Sequence, residues 1–272
     1  MGAFVLLTAA EAAWPLRGRR EARLRHAARN LAVGGVALAV LGLVQMPFLL
    51  PVATWARRAG VGLLNLVALP AALELGLGVL LLDYTLWHWH RINHLSPWLW
   101  RFHAVHHIDL DLDASTAFRF HFGELALSAV YRGLQVLAIG PSPAALAVWQ
   151  LLLFVSVLFH HSNLRLPVAL EAALVRLVVT PRMHGIHHSQ YANETNANWS
   201  SLLSAWDALH GTLVLNVPQD QVPIGIPTCR EARRVTLGRI LLRPFERHPE
   251  DHGPAGRIAR STSGAPATRL AP

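Results

Sequence analysis

Residues 31–52, LAVGGVALAVLGLVQMPFLLPV, contain no charged side chain. A helix needs roughly 20 such residues to cross about 30 Å of hydrocarbon. Inside a bilayer no water satisfies the backbone, so an apolar run of this length reads as a membrane-crossing helix. Residues 61–87 form a second candidate span and carry Asn65, Pro70 and Glu74; polar groups at that depth face protein rather than lipid. Two shorter apolar runs, 125–140 and 144–160, flank the turn signal Pro141-Ser142-Pro143, with Arg132 inside the first. They read as two tilted spans or as a re-entrant hairpin. The composition agrees, since 53% hydrophobic and 15% charged residues lie outside the usual range of soluble domains.

The expected fold is therefore all-α: an integral membrane helical bundle of about four spans, or two spans plus a hairpin, under a histidine-rich helical cap. Residues 1–30 read as a basic N-terminal segment, 31–248 as one membrane-embedded domain, and the Pro, Gly, Ser, Thr and Arg-rich stretch 249–272 as a disordered tail. In the N-terminal run the positive charges follow the apolar residues, the wrong order for a secretory signal, so the segment is expected to stay attached. Either span arrangement returns the chain to the same side, which puts the basic N-terminus, 88–124 and everything after His160 on one face. Arg17, Arg19, Arg20, Arg23, Arg25 and Arg29 lie on that face and Arg57 and Arg58 on the other. The positive-inside rule makes the first face cytoplasmic, in an inner (cytoplasmic) membrane. The stretch 235–245, VTLGRILLRPF, reads as an amphipathic helix at the membrane surface. All 24 basic residues are arginine and the net charge is +8. That suits an anionic membrane surface, and no basic face interleaved with aromatics suggests nucleic acid.

Six histidines fall between His88 and His107, and twelve of the sixteen lie between His88 and His188. His90 and His94 are four apart, on one helical face. His103, His106 and His107 form an HxxHH set on a helix that Ser96 can cap and Pro97 can begin. His184, His187 and His188 repeat the pattern after Thr180-Pro181, and His160 and His161 end the last apolar run. A single cysteine, Cys229, excludes an internal disulfide and a Cys-based cluster. So many imidazoles exceed what one tetrahedral or octahedral ion can use, and two metals are the natural count; imidazole suits Zn, Cu, Fe and Ni alike. A histidine-lined membrane metal transporter or metal-binding protein is the alternative, but it predicts ligands in mid-span, where only Glu74 stands.

These residues resemble the fatty acid hydroxylase/sterol desaturase superfamily of membrane histidine-box enzymes. Asp83-Tyr84 followed by His90-Arg91-Ile92-Asn93-His94 looks like the first box, and Trp100 to His107 like the second. Phe159-His160-His161-Ser162-Asn163 resembles the third element, with His161 at the usual histidine. Thr180 to Ser189 resembles the last box, which Asn198-Trp199-Ser200 and Trp206 to Thr212 continue. His160 stands where the family more often has glutamine, and His121 lacks the proline that commonly follows it.

The resemblance implies an oxidoreductase that uses two iron ions and O2 to hydroxylate or desaturate a fatty acyl, sterol or related lipid. Its metal ligands would be His90, His94, His103, His106, His107, His161, His184, His187 and His188, with His160 and His121 as further candidates. No other catalytic residue is expected. The electrons would come from an external donor such as a ferredoxin or a cytochrome with its reductase. Glu74, Asp83, Asn163 and Asp207 are candidates for orienting the imidazoles, and Trp87, Trp89, Trp98 and Trp100 for an interfacial belt. His26, His210, His248 and His252 are set aside as non-ligands.

Overall fold

The computed structural model describes residues 2–246 and 248, apart from 233 and 234. The tail expected to be disordered, 249–272, lies outside the described residues. All regular elements among the described residues are helical, joined by three isolated β-bridges. Helix α1 covers Gly2–Ala13. Helix α2 (Arg23–Val40) runs through a π-helical turn at Leu41–Gln45 into α3 (Met46–Arg58). Pro47 supplies no N–H to the carbonyl of Leu43, and the turn widens just before it. Helix α4 is Ala71–Leu95 and α5 Pro97–His107; α6 is Phe122–Ile139 and α7 Pro143–His161.

Among the described residues, three helical stretches are long and apolar enough to cross a membrane: Arg23–Asn65, Phe122–Ile139 and Pro143–His161. At 25 residues α4 is longer than α6 or α7, about 37 Å at 1.5 Å per residue, but it carries Glu74, Asp83 and three histidines. The Pro141-Ser142-Pro143 signal is a tight joint between two long helices. Gly140 ends α6 at φ 67°, a left-handed conformation that glycine adopts without strain, and Ser142 caps α7 with Pro143 in its first turn. Glu74 accepts a hydrogen bond from the Ser142 backbone N–H at 2.7 Å, which ties this joint to the first turn of α4. Leu49, Leu82, Val136, Leu146 and Trp149 fill the core shared by α3, α4, α6 and α7.

The basic N-terminal segment is woven into the rest of the chain. Buried Glu11 accepts from the backbone N–H of Ala114 and of Asn163. The Arg17 backbone donates to Asn163 Oδ1, and its guanidinium donates to the carbonyl of Pro181 at 2.7 Å. The N-terminus, the loop after α5 and the chain beyond α7 therefore pack against one another. His26 lies in the same network with Asp109 on Nε2 (2.8 Å) and Asp113 on Nδ1 (3.0 Å).

The tryptophan belt is corrected by the packing. Trp87 and Trp100 are each 3% exposed, and Trp87 donates its indole N–H to Asp207, so both are core residues; Trp98 at 55% is exposed. The surface helix expected over 235–245 is also shorter. Helix α12 spans Leu237–Leu242 and passes into a 3-10 turn, with Ile240 fully buried.

Candidate metal centre

Four elements deliver histidines to one buried volume. Helix α4 brings His90 and His94, and α5 brings His103, His106 and His107. His161 is the last residue of α7. Helix α9 (Pro181–His187) carries His184 and His187, with His188 at its C-cap. The caps follow the sequence signals: Ser96 Oγ accepts from Leu99 N, and Thr180 Oγ1 accepts from Met183 N. A Cβ at Gly185 would meet the Arg17 guanidinium, so a side chain there would displace it.

The nine box histidines fall into two groups, His90, His94, His103, His107 and His187 in one and His106, His161, His184 and His188 in the other. Within each group the ligand atoms lie within 4.8 Å of one another, and every residue is buried. In the second group His106 Nε2 lies 2.9 Å from His161 Nε2, His161 Nε2 3.0 Å from His184 Nε2, and His184 Nε2 3.1 Å from His188 Nε2. Nitrogens each about 2.0–2.1 Å from one ion, and near 90° apart around it, would be separated by about 3.0 Å.

Five of the outer nitrogens are anchored. His90 Nδ1 donates to the Trp199 carbonyl, His187 Nδ1 to that of Ala197, His106 Nδ1 to that of Arg119 and His161 Nδ1 to that of Val157. His103 Nδ1 donates to Glu124 Oε1 at 2.9 Å. Each bond leaves Nε2 as the lone-pair nitrogen, the tautomer that metal binding requires. The inward Nε2 atoms of His103, His107 and His187 are buried with no hydrogen-bond partner. Such orphaned acceptors are costly in a protein interior unless something occupies them. Burial pushes the imidazoles of His106, His107, His187 and His188 well below their ordinary pKa, and the neighbouring histidines push further the same way. Neutral imidazole is the ligand form, so the donor set fits two transition-metal ions.

The further candidates sit differently. His160 lies against the second group, with its ring centroid 4.1 Å from that of His184, but belongs to neither group. His121 caps α6, accepting from Gly123 N, and its Nε2 donates to the Leu241 carbonyl. The carboxylate that touches a box histidine is Glu124, which the sequence reading did not single out for this role. Its signal was a lone acid in the first turn of an apolar helix. The side chains expected to orient imidazoles bind elsewhere: Asp83 accepts from Leu203 N and Trp206 Nε1, Asn163 holds Arg17, and Glu74 holds Ser142. Asp207 acts one step removed, accepting from the backbone N–H of Trp199, the residue whose carbonyl anchors His90.

Residues 75–212, which contain every one of these histidines, match the fatty acid hydroxylase family. The chain belongs to that family. Among similar curated proteins, the ornithine lipid hydroxylase of Rhizobium tropici is 32% identical over 182 residues, 65% of this chain and 52% of that protein. Mouse cholesterol 25-hydroxylase is 28% identical over 137 residues, 50% of this chain and 45% of the relative. The alkylglycerol monooxygenase of Xenopus tropicalis is 27% identical over 132 residues, 48% of this chain and 28% of the relative. The chain thus spans about half the length, or less, of these relatives. No solved structure matches it. Family membership and the three apolar helices together mark this chain as a membrane protein.

Glu124→Ala is expected to lower metal affinity about 10–100-fold, the usual effect of removing the partner that orients a ligand imidazole. Glu124→Gln, which keeps an acceptor for His103 Nδ1, should lose less. Metal retention against a graded chelator measures both variants, and unchanged retention in Glu124→Ala would show that His103 needs no anchor.

Proposed function

We propose that this chain is a membrane lipid hydroxylase that holds two iron ions and uses O2 to convert a lipid C–H bond into C–OH. The observation that supports it best is the position of the two imidazole groups at the end of a cavity of about 160 Å³ that His90, His103, His106, His161 and His184 line together with Leu86 and Leu153. An apolar chain can reach the histidines there, and bulk water is kept back by the burial around them. The names of the relatives, all hydroxylases or monooxygenases, favour hydroxylation over desaturation.

His90, His94, His103, His107 and His187 would hold one iron, and His106, His161, His184 and His188 the other. When bound, the iron pair supplies O2 activation, which neutral imidazoles alone lack. The chain's own contribution is to hold the lone pairs of His90, His103, His106, His161 and His187 inward through their anchored outer nitrogens and to keep the reacting carbon in a dry cavity. The balance is O2 plus two electrons, two protons and R–H giving R–OH and water. The electrons are assigned to an external ferredoxin or a cytochrome with its reductase. The face shared by Arg19, Arg20 and the loop after α5 is the proposed docking side, facing the cytoplasm from the inner membrane. The catalytic unit is the membrane-embedded domain, 31–248.

Protein purified in detergent and reconstituted anaerobically with Fe(II) is expected to hold two iron ions per chain. Lipid profiling of aerobic cells with and without the gene should show a product heavier by one oxygen. A firm stoichiometry of one iron under those conditions would overturn the two-metal assignment.

A further inference from the structure

Beside the cavity over the histidines lies a second and larger one. It has a volume of about 540 Å³ and lies between α2, α6 and α7, with Gly34, Ala37 and Gly42 on its α2 side. Phe120, Leu125, Arg132, Leu153 and Val157 line both cavities. The wall that the two cavities share is therefore apolar except for Arg132, while Gln150 adds an uncharged polar group to the larger cavity.

Arg132 lies in the middle of α6, a helix long and apolar enough to cross the membrane. A cation in that setting is costly and is retained where it pairs with something. Among the described residues no carboxylate lies within 4 Å of it, and its Nη1 is buried without a hydrogen-bond partner. Its one protein contact of note is the face of Trp149, 4.7 Å from the guanidinium carbon to the ring centroid. That contact uses one face of the guanidinium and none of its five N–H donors. Glu124, two turns earlier on the same face of α6, lines the inner cavity but does not pair with Arg132, since its Oε1 accepts from His103. The acid on this face serves the metal side, and the base is left for the ligand.

We propose that Arg132 binds an anionic group of the lipid, a carboxylate or a phosphate, with the aliphatic tail in the larger cavity, so that this enzyme selects anionic over neutral lipids. The planar guanidinium offers two parallel donors to two oxygens of either group, which lysine cannot reproduce. Trp149 holds the guanidinium plane from one side and leaves its edge to the cavities. This rests on the lipid-hydroxylase reading, and the test separates the two.

The experiment measures binding of cis-parinaric acid and of its methyl ester, by fluorescence, to the protein in a neutral detergent at pH 8. Wild type should bind the acid at least 10-fold tighter than the ester. Arg132→Gln should lose that preference, with acid affinity falling to that of the ester and ester affinity unchanged, and Arg132→Lys should keep part of it. Competition by dodecanoate, dodecyl phosphate and dodecanol then separates the sources. Displacement by dodecanoate alone assigns a carboxylate, and displacement by dodecyl phosphate alone assigns a phosphate; equal displacement by dodecanol overturns the selectivity. If wild type binds acid and ester equally, the role of Arg132 falls while the lipid cavity stands. If neither binds, the lipid reading falls with it. The wild-type comparison needs no variant, so a poorly folding Arg132→Gln leaves the proposal open to refutation.

Discussion

His188→Ala is expected to abolish lipid hydroxylation and to lower bound iron from two ions per chain to about one. His188 closes the smaller group: its Nε2 is 3.1 Å from that of His184, and its ring stacks on His107 with centroids 4.4 Å apart. Removing it leaves His106, His161 and His184, three ligands where open positions for O2 already reduce the count. The loss is also a packing loss, because a fully buried ring is replaced by a methyl group. Stability must therefore be read alongside activity. His188→Gln keeps most of the volume without the imidazole lone pair and should be equally inactive while unfolding near the wild-type temperature. His248→Ala, outside both groups, should keep two irons and full turnover. Two bound irons with normal turnover in His188→Ala would mean that the second group is structural.

The clustering of the histidines was legible because they obey helical spacing. The i, i+4 pair on α4 and the two HxxHH sets each put their imidazoles on one face, and Ser96-Pro97 and Thr180-Pro181 announced where α5 and α9 begin. How nine histidines divide between two groups was not legible, because the division cuts across the motifs. His106 and His107 are adjacent in sequence yet belong to different groups, as do His187 and His188. Successive residues on a helix diverge by about 100°, so neighbours in one box face different groups. Glu124 was hidden for a related reason: it lies 21 residues from His103, and only the packing of α6 against α5 joins them. The tryptophans misled because interfacial and core positions share a composition, and what makes Trp87 a core residue is the distant Asp207.

His26 was set aside as a non-ligand, and the structure gives it a different weight that leads to the second large effect. Asp109→Ala is expected to cost about 3–5 kcal/mol of folding stability, the range for leaving a buried ion-pair partner uncompensated. Asp109 is fully buried and accepts from His26 Nε2, Asn30 Nδ2 and Thr116 Oγ1, with Arg119 at 3.6 Å and Arg29 at 3.7 Å. His26 has a carboxylate on each ring nitrogen, so both nitrogens donate and the ring is cationic. Without Asp109, the fully buried Arg119 and His26 would face each other's charge across a methyl group. The network joins α2 to the loop after α5, beside His107, so its loss loosens the wall of the metal centre as well. Asp113 supports the same cation: burial alone would raise its pKa, but His26 and Arg19 outweigh that and hold it below the ordinary carboxylate range. A depressed folded-state pKa means that its contribution is complete above about pH 4 and is lost only as the solution becomes more acid. The wild type should therefore show no stability loss from Asp113 between pH 5 and 8, whereas the His26 cation, whose ring is neutral in the unfolded chain above about pH 6.5, makes the network lose stability as the pH rises past that value. Denaturant unfolding in mixed micelles measures the Asp109→Ala cost, and a His26→Ala/Asp109→Ala double variant tests its origin. The double variant should be less destabilised than the sum of the single changes, because each removes the charge that the other leaves stranded. Strict additivity, or a cost below about 1 kcal/mol for Asp109→Ala, would show that these charges are solvated in the folded protein and that the N-terminal helices are held by apolar packing instead.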